Sequence, residues 1–319
     1  MSDDLSRGEF FAVTSAAGAA SVARPTVAAP AGATRALKIR WYGGGVFELA
    51  SPDDKQIALV DAWIWNNTGF KQFNIDKPAE LSSASAYAAH IKARNPDAVV
   101  VALTHDHGDH MGDYFELLPA LLAAGVNVKT VGQSDMMRVG LVPKFKAANL
   151  DPAQIVLNNG AGINMGGTAM HGAMRLELVP AVHSTILGYP AAGFIIDIAG
   201  VRVYASGDTD VYGDMSLTGV RYSPDLAVLC VGNGAFTMGP QDAAYACKLL
   251  GVHAAIPVHY AHNPLVVGPQ AADLFRDAVA KVSPATAVTI LRPGAPTTLQ
   301  VAAAARLVDS PSANPRGAA

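Results

Sequence analysis

One stretch constrains this chain more than any other. It is LTHDHGDHMGD, Leu103 to Asp113, which follows directly on the apolar run Ala98-Val99-Val100-Val101-Ala102. Such a run reads as a buried strand, and three histidines and three aspartates then crowd between His105 and Asp113. A cluster of imidazoles and carboxylates beside a core is costly unless a cation compensates it. His105, His107, Asp109 and His110 form H-x-H-x-D-H on a strand-to-helix turn. A loop there can aim alternate side chains at two neighbouring points. Imidazole and carboxylate are the donors of borderline divalent metals such as zinc, iron and manganese.

Further donors are sought where other strands end. His183 follows LELVPAV, Asp208 ends VRVYASGD and His259 ends AAIPVH. Open α/β sheets collect their active-site groups at the carboxyl ends of strands. His262, in the loop after His259, is within reach of the same place, and with Tyr260 it is a candidate to protonate a leaving alkoxide. Adjacent strand residues face opposite ways, which counts against Tyr260. His90, His171 and His253 read as structural or surface residues.

Around these positions the pattern alternates short β-rich runs with helical ones. LKIRW and VFEL flank Gly43-Gly44-Gly45 as strand, turn and strand, and QIALVD is a buried strand ending on Asp61. Residues 82–94 and 112–124 read as helices, the second with Gly125 as cap. In the second half GFIIDI and VRVYAS form a hairpin about Ala199-Gly200, DLAVLCVG is a strand and PQDAAYACKLLG a helix between Pro240 and Gly251. Strands followed by a βα alternation, twice over, indicate an α/β sandwich of two similar halves. No linker interrupts it, so residues 34–308 are expected to form one domain.

The 319 residues are 50% hydrophobic and 15% charged, enough for a large core. A net charge of −3 without clustered Lys and Arg argues against a nucleic-acid or anionic-membrane surface. No apolar window is long enough for a spanning helix. A small-molecule substrate is the expected partner, and self-association is left open. Cys230 and Cys247 sit in apolar runs and read as small buried hydrophobes. The N-terminus has two readings. Ser6-Arg7, Phe10-Phe11 and Ser21-Val22-Ala23 resemble a twin-arginine export signal, which would send the chain out of the cytoplasm. Gly8 stands where a second arginine belongs, and Asp3, Asp4 and Glu9 make the leader acidic. The other reading is a disordered tail through residue 33 of a cytoplasmic protein; residues 309–319 are also expected to be a tail.

H-x-H-x-D-H followed by a lone His, a lone Asp and a lone His resembles the metallo-β-lactamase-fold hydrolases. AVHSTILGYPAAGFII, YASGDTDVYGDM and GNGAFTMGPQDAAYA…IPVHY are most similar to the branch that includes ascorbate-6-phosphate lactonase. The resemblance implies a four-layer αβ/βα sandwich and two divalent ions per chain, zinc foremost and manganese or iron as the other fits. It implies that His105, His107 and His183 hold the first ion, that Asp109, His110 and His259 hold the second, and that Asp208 bridges them. Asp61 matches an early aspartate that supports the ligand loop through hydrogen bonds. Asp109, Asp208 and His262 are the candidates for a direct part in the reaction. Two such ions lower the pKa of a shared water to about 7, giving hydroxide for attack. A lactone or other carboxylic ester is the expected substrate, a phosphodiester or an iron-dependent oxidation the alternative. Two departures stand out: Gly44 where that branch usually carries His, and Ala62 where it usually carries Pro. The aromatic stretch Trp63, Trp65, Phe70 and Phe73 reads equally as a pocket wall or as a loop covering core or subunit contact.

Overall fold

The computed structural model describes residues 34–232, 236–262 and 266–302. The N-terminal segment with its two readings and the C-terminal tail lie outside them. Five strands open the chain: β1 (Thr34–Gly43), β2 (Val46–Ala50), β3 (Gln56–Val60), β4 (Ala98–Ala102) and β5 (Val128–Val131). Seven form a second sheet: β6 (Thr168–His171), β7 (Met174–Pro180), β8 (Ala192–Ile198), β9 (Val201–Ala205), β10 (Leu226–Cys230), β11 (Ala254–Val258) and β12 (Ala287–Val288). The last strand, β13 (Pro296–Ala302), returns to the first sheet, which runs β13-β1-β2-β3-β4-β5. It pairs antiparallel with all but the end of β1, from Thr34 opposite Ala302 to Arg40 opposite Pro296.

The sheets face each other with helices outside, giving an α/β sandwich of four layers. Alternation along each strand explains the layering. In β3 and β4, Ala58, Val60, Ala98, Val100 and Ala102 enter the core between the sheets. Ile57, Leu59, Val99 and Val101 face outward into a separate core under the helices Ala84–Ala93 and Tyr114–Ala123. The second sheet is covered by the helices Pro240–Leu250 and Ala271–Val282, whose Ala243, Ala244, Cys247 and Phe275 are buried against it. Both cysteines are buried, as their apolar runs suggested. Among the described residues no helix is long and apolar enough to cross a membrane.

Left-handed backbone marks the turn and the helix end. Ala199 and Gly200 both take positive φ in the β8–β9 turn (51° and 75°), and Gly251 closes its helix at φ 65°. Parallel pairing of β3 with β4, and of β9 with β10 and β11, directs their carboxyl ends to one edge of the sandwich. The residues just past those ends therefore meet.

Candidate metal centre

His105, His107, Asp109 and His110 lie beyond β4, His183 beyond β7, Asp208 beyond β9 and His259 beyond β11. The fold brings all seven together, and His262 with them. Three donor groups have atoms within 4.8 Å of one another: His105, His107 and His183; His105, His110 and Asp208; and Asp109, His259 and His262. The first matches the expected first-ion set. His110 stands with His105 and Asp208, while His262 joins Asp109 and His259 in the place expected for His110.

Asp208 is central. Its Oδ1 lies 3.2 Å from His110 Nε2, and its Oδ2 lies 3.0 Å from His259 Nε2 and 3.7 Å from His183 Nε2. Asp109 Oδ2 is 3.5 Å from Nε2 of both His259 and His262. His107 Nδ1 is 3.1 Å from His105 Nε2 and 3.3 Å from His183 Nε2. Donors held at about 2.0–2.2 Å from a tetrahedral zinc sit roughly 3.3–3.6 Å from one another, so these spacings suit atoms gathered round cations. Six imidazoles and two carboxylates are also the donor chemistry that borderline divalent ions take. Buried His110 Nε2, Asp208 Oδ1 and His259 Nε2 have no hydrogen-bond partner in the structure. Buried polar atoms without partners call for an explanation, and a cation bound among them would supply it.

Outer hydrogen bonds aim two of the rings. Asp61 is fully buried. Its Oδ1 accepts the Thr104 N–H at 2.8 Å, and its Oδ2 accepts the Thr104 hydroxyl at 2.8 Å and His110 Nδ1 at 2.6 Å. The Thr104 hydroxyl, committed to Asp61, accepts from His105 Nδ1 at 3.0 Å. Both rings thus keep a proton on Nδ1, which leaves Nε2 as the nitrogen each would offer to a cation. Asp61 therefore supports the ligand loop as the resemblance implied, while Thr104, through which it reaches His105, was missed by sequence reasoning. Asp61 (φ 61°) and His259 (φ 60°) both hold left-handed backbone, a local cost of order 1 kcal/mol that the surrounding packing bears.

The electrostatics of the ion-free cluster follow from this crowding. Burial acts to raise the Asp208 pKa, but the imidazoles of His259 and His110 outweigh it and hold the carboxyl well below the usual range. Asp109 is lowered likewise, by His259 and His262 against burial. Burial acts to lower His259, but Asp208 and Asp109 push it up to about 9. Burial lowers His105, with His110 adding to the effect.

The centre opens into a cavity of about 300 Å³ lined by His107, Asp109, His183, Asp208, His259 and His262, with Ser184, Phe236 and Val266 completing the wall. Phe236 and Val266 carry no signal in the sequence beyond being apolar in loops. The aromatic stretch takes the covering role instead. Phe70 is 2% exposed in the outer core, and Phe73 packs on Trp41 and Tyr260 at 5.6 and 5.9 Å. Trp63 stands edge-on behind His262 at 6.2 Å. Tyr260 is fully buried against Trp41 and does not face the cavity. At Gly44 (φ 53°), where the resemblance led us to expect a histidine, the Trp63 ring lies 3.5 Å from the position of a Cβ. At Gly45 a Cβ would fall 2.5 Å from His110 Cε1 and 3.2 Å from His259 Cδ2, so the ligand rings need a glycine there.

Comparison with known proteins bears on the family and the fold. Residues 62–260 match the family described as the Beta-lactamase superfamily domain. A UPF0173 metal-dependent hydrolase of Nitratidesulfovibrio vulgaris (strain DP4) is 37% identical over 263 residues, spanning 82% of this chain and 95% of that protein. A namesake from Archaeoglobus fulgidus is 32% identical over 268 residues, 81% and 97% of the two chains. Among solved structures, Igni18, a novel metallo hydrolase from the archaeon Ignicoccus hospitalis, superposes with a TM-score of 0.64 at 26% identity over 83% of this chain and 98% of that one.

Proposed function

The chain belongs to the β-lactamase superfamily as a UPF0173-type metal-dependent hydrolase, and from that premise we propose that it opens a lactone or cleaves another carboxylic ester at a centre of two divalent ions, zinc foremost. The observation that carries this reading is Asp208, whose two oxygens face donors from both sides of the centre. His105, His107 and His183 would hold one ion. Asp109, His110, His259 and His262 would surround the other, with Asp208 reaching both.

When bound, the ions would supply an acidic water for attack and an electrophile for the carbonyl oxygen. The protein's own part is positional. Asp61 and Thr104 hold the Nδ1 sides of His110 and His105, leaving Nε2 of each ring to face an ion. His262 is placed by Trp63 at its edge and by Thr68, whose hydroxyl donates to the His262 carbonyl. Its Nε2 beside Asp109 Oδ2 suits a donor to the second ion better than the proton donor expected from sequence. Ser184 lines the cavity without a base bonded to it, which supports water as nucleophile. Phe236 and Val266 give the cavity an apolar side for the non-reacting part of a substrate.

The test joins elemental analysis of purified protein to a hydrolysis screen of lactones, aryl esters and phosphodiesters. Two ions per chain with lactone or ester turnover, lost to chelator and restored by zinc, is the expected result. Turnover confined to phosphodiesters, or iron with no hydrolysis, overturns the reading.

A further inference from the structure

Beside the metal cavity lies a second, mostly apolar cleft of about 250 Å³. Two of the segments that bound it also carry the first-ion donors. His107 and Asp109 line the metal cavity, while Asp106 and Gly108 line the cleft; Ser184 lines the cavity, while Ile186 and Leu187 line the cleft. Consecutive Cα atoms are about 3.8 Å apart, and the cleft begins one residue from His107 and three from His183.

Its outer lip is unusual. Ile186 is 69% exposed and Leu187 53% exposed, with Phe115 at 38% across the opening. Side chains of this kind left in water together mark a binding surface more often than chance. The lip is also held in place. Asp106, which is not among the metal donors, accepts the backbone N–H of Ile186 at 2.7 Å and of Leu187 at 3.0 Å. Thr185 Oγ1 donates to the Tyr189 carbonyl at 2.7 Å, closing the base of the loop. Gly140 lines the cleft directly beside Leu187: a Cβ there would lie 3.2 Å from Leu187 Cδ1.

We infer that this cleft is a substrate subsite, taking the apolar acyl arm of an ester or lactone whose carbonyl lies at the metal centre. This rests on the ester-hydrolase reading and narrows it to substrates with a medium-length alkyl or aryl acyl group. The clamp by Asp106 ties the lip to the ligand loop itself, so the arm and the carbonyl are positioned by one piece of backbone. Asp106 is on this account a positioning residue for the loop.

The test uses full-length zinc-loaded protein and reads binding separately from turnover. Octanoate and acetate are titrated calorimetrically as the acids such esters would release. Full burial of a methylene favours binding about fourfold, so even a half-open cleft should make octanoate bind at least roughly tenfold tighter than acetate. The ratio should fall to about threefold or less in Gly140→Leu, which grows into the cleft, and in Leu187→Ser, which strips the facing wall. Circular dichroism checks that both variants fold, and kcat/KM for 4-nitrophenyl octanoate over acetate should follow the same ratio. Equal binding of the two acids, or a preference that survives in both folded variants, overturns the subsite even where esters are hydrolysed. Octanoate preference lost in both variants, with no ester or lactone turned over, upholds the subsite and removes the ester reading instead. A wild-type dimer split by Leu187→Ser, with no octanoate preference, overturns the proposal and assigns the lip to a second copy of the chain.

Discussion

Replacing Asp61 separates the stability of the centre from its chemistry. Three donors converge on this buried carboxylate: Thr104 N, Thr104 Oγ1 and His110 Nδ1. In Asp61→Ala the Thr104 and His110 N–H groups lose their acceptor in residues that are fully buried. Each orphaned donor costs about 1–3 kcal/mol, so a loss of about 2–6 kcal/mol in the ion-free protein is expected. Loss of an outer partner lowers metal affinity by roughly 10- to 100-fold. Asp61→Asn behaves differently. Its carbonyl oxygen can still accept from Thr104 N, which spares most of the stability. Its amide then faces His110 Nδ1 and favours the tautomer with a proton on Nε2, the atom turned toward Asp208. Asn should therefore unfold later in urea than Ala yet bind zinc no better than Ala, roughly 10- to 100-fold below wild type. Urea unfolding of chelator-treated protein and zinc competition against a chromophoric chelator measure the two quantities. Zinc affinity in Asp61→Asn within threefold of wild type would refute the tautomer argument.

Asp208→Asn should weaken the second ion and lower kcat by at least about 100-fold, as for loss of a major electrostatic stabiliser, whereas Asp106→Asn keeps both ions by elemental analysis; full metal content and turnover in Asp208→Asn would rule out the bridge. His262→Ala should lose affinity for one ion by more than the roughly 100-fold of an outer partner; two undiminished ions with slow turnover of poor leaving groups alone would return His262 to proton transfer. Gly45→Ala places a methyl 2.5 Å from His110 Cε1, so it should lose zinc and cost the ion-free fold about 1–3 kcal/mol as His110 Nδ1 is pushed off Asp61; unchanged zinc affinity would show that the ring shifts freely. His259, pushed up to about 9, is protonated at pH 7 in the ion-free centre, so zinc uptake at pH 7 should release at least one proton, and fewer above pH 9. Calorimetry in buffers of different ionisation enthalpy reads this directly, and zero release at pH 7 contradicts it.

What could be read from sequence was whatever local pattern dictates. His105, His183, Asp208 and His259 were legible because each follows an apolar run whose length and alternation mark a strand end. The hairpin at Ala199-Gly200 and the helix closed by Gly251 were legible because glycine takes positive φ without a Cβ clash; Ala199, at φ 51°, is carried into the left-handed region by the turn against its own preference. Contacts set by distant pairing were not. Nothing in PTTLQVA shows that it will leave the second sheet and lie against Thr34–Gly43. The residues 136–147 form a π-helical turn running into an α-helix, and no periodicity marks it. Phe70 and Phe73 are three positions apart yet enter different cores, which a loop without a period cannot signal. Asp113, which ends LTHDHGDHMGD, stands outside the donor groups; its carboxylate accepts from the backbone of Ile64 and Asn66 and holds the aromatic loop in place.

The placement of donors at strand ends has a consequence for how the molecule coheres. The ligand loop after β4 belongs to the first sheet, whereas His183, Asp208 and His259 belong to the second. Every donor group that includes Asp208 or His183 therefore spans the seam between the sheets. Apolar packing between the sheets brings the strand ends close, but at this edge it also forces imidazoles against one another: the His105 and His110 rings are 4.1 Å apart and His259 and His262 4.4 Å. Carboxylates alone offset that only by holding some of the rings protonated, as His259 is. Ions would do it with the rings neutral, drawing both sheets to shared charges, and bound ions stabilise the folded state by about 4 kcal/mol at a thousandfold excess over Kd. The cluster that looks unfavourable in the linear sequence is then a joint between the two halves, and the same joint is where the reaction would take place.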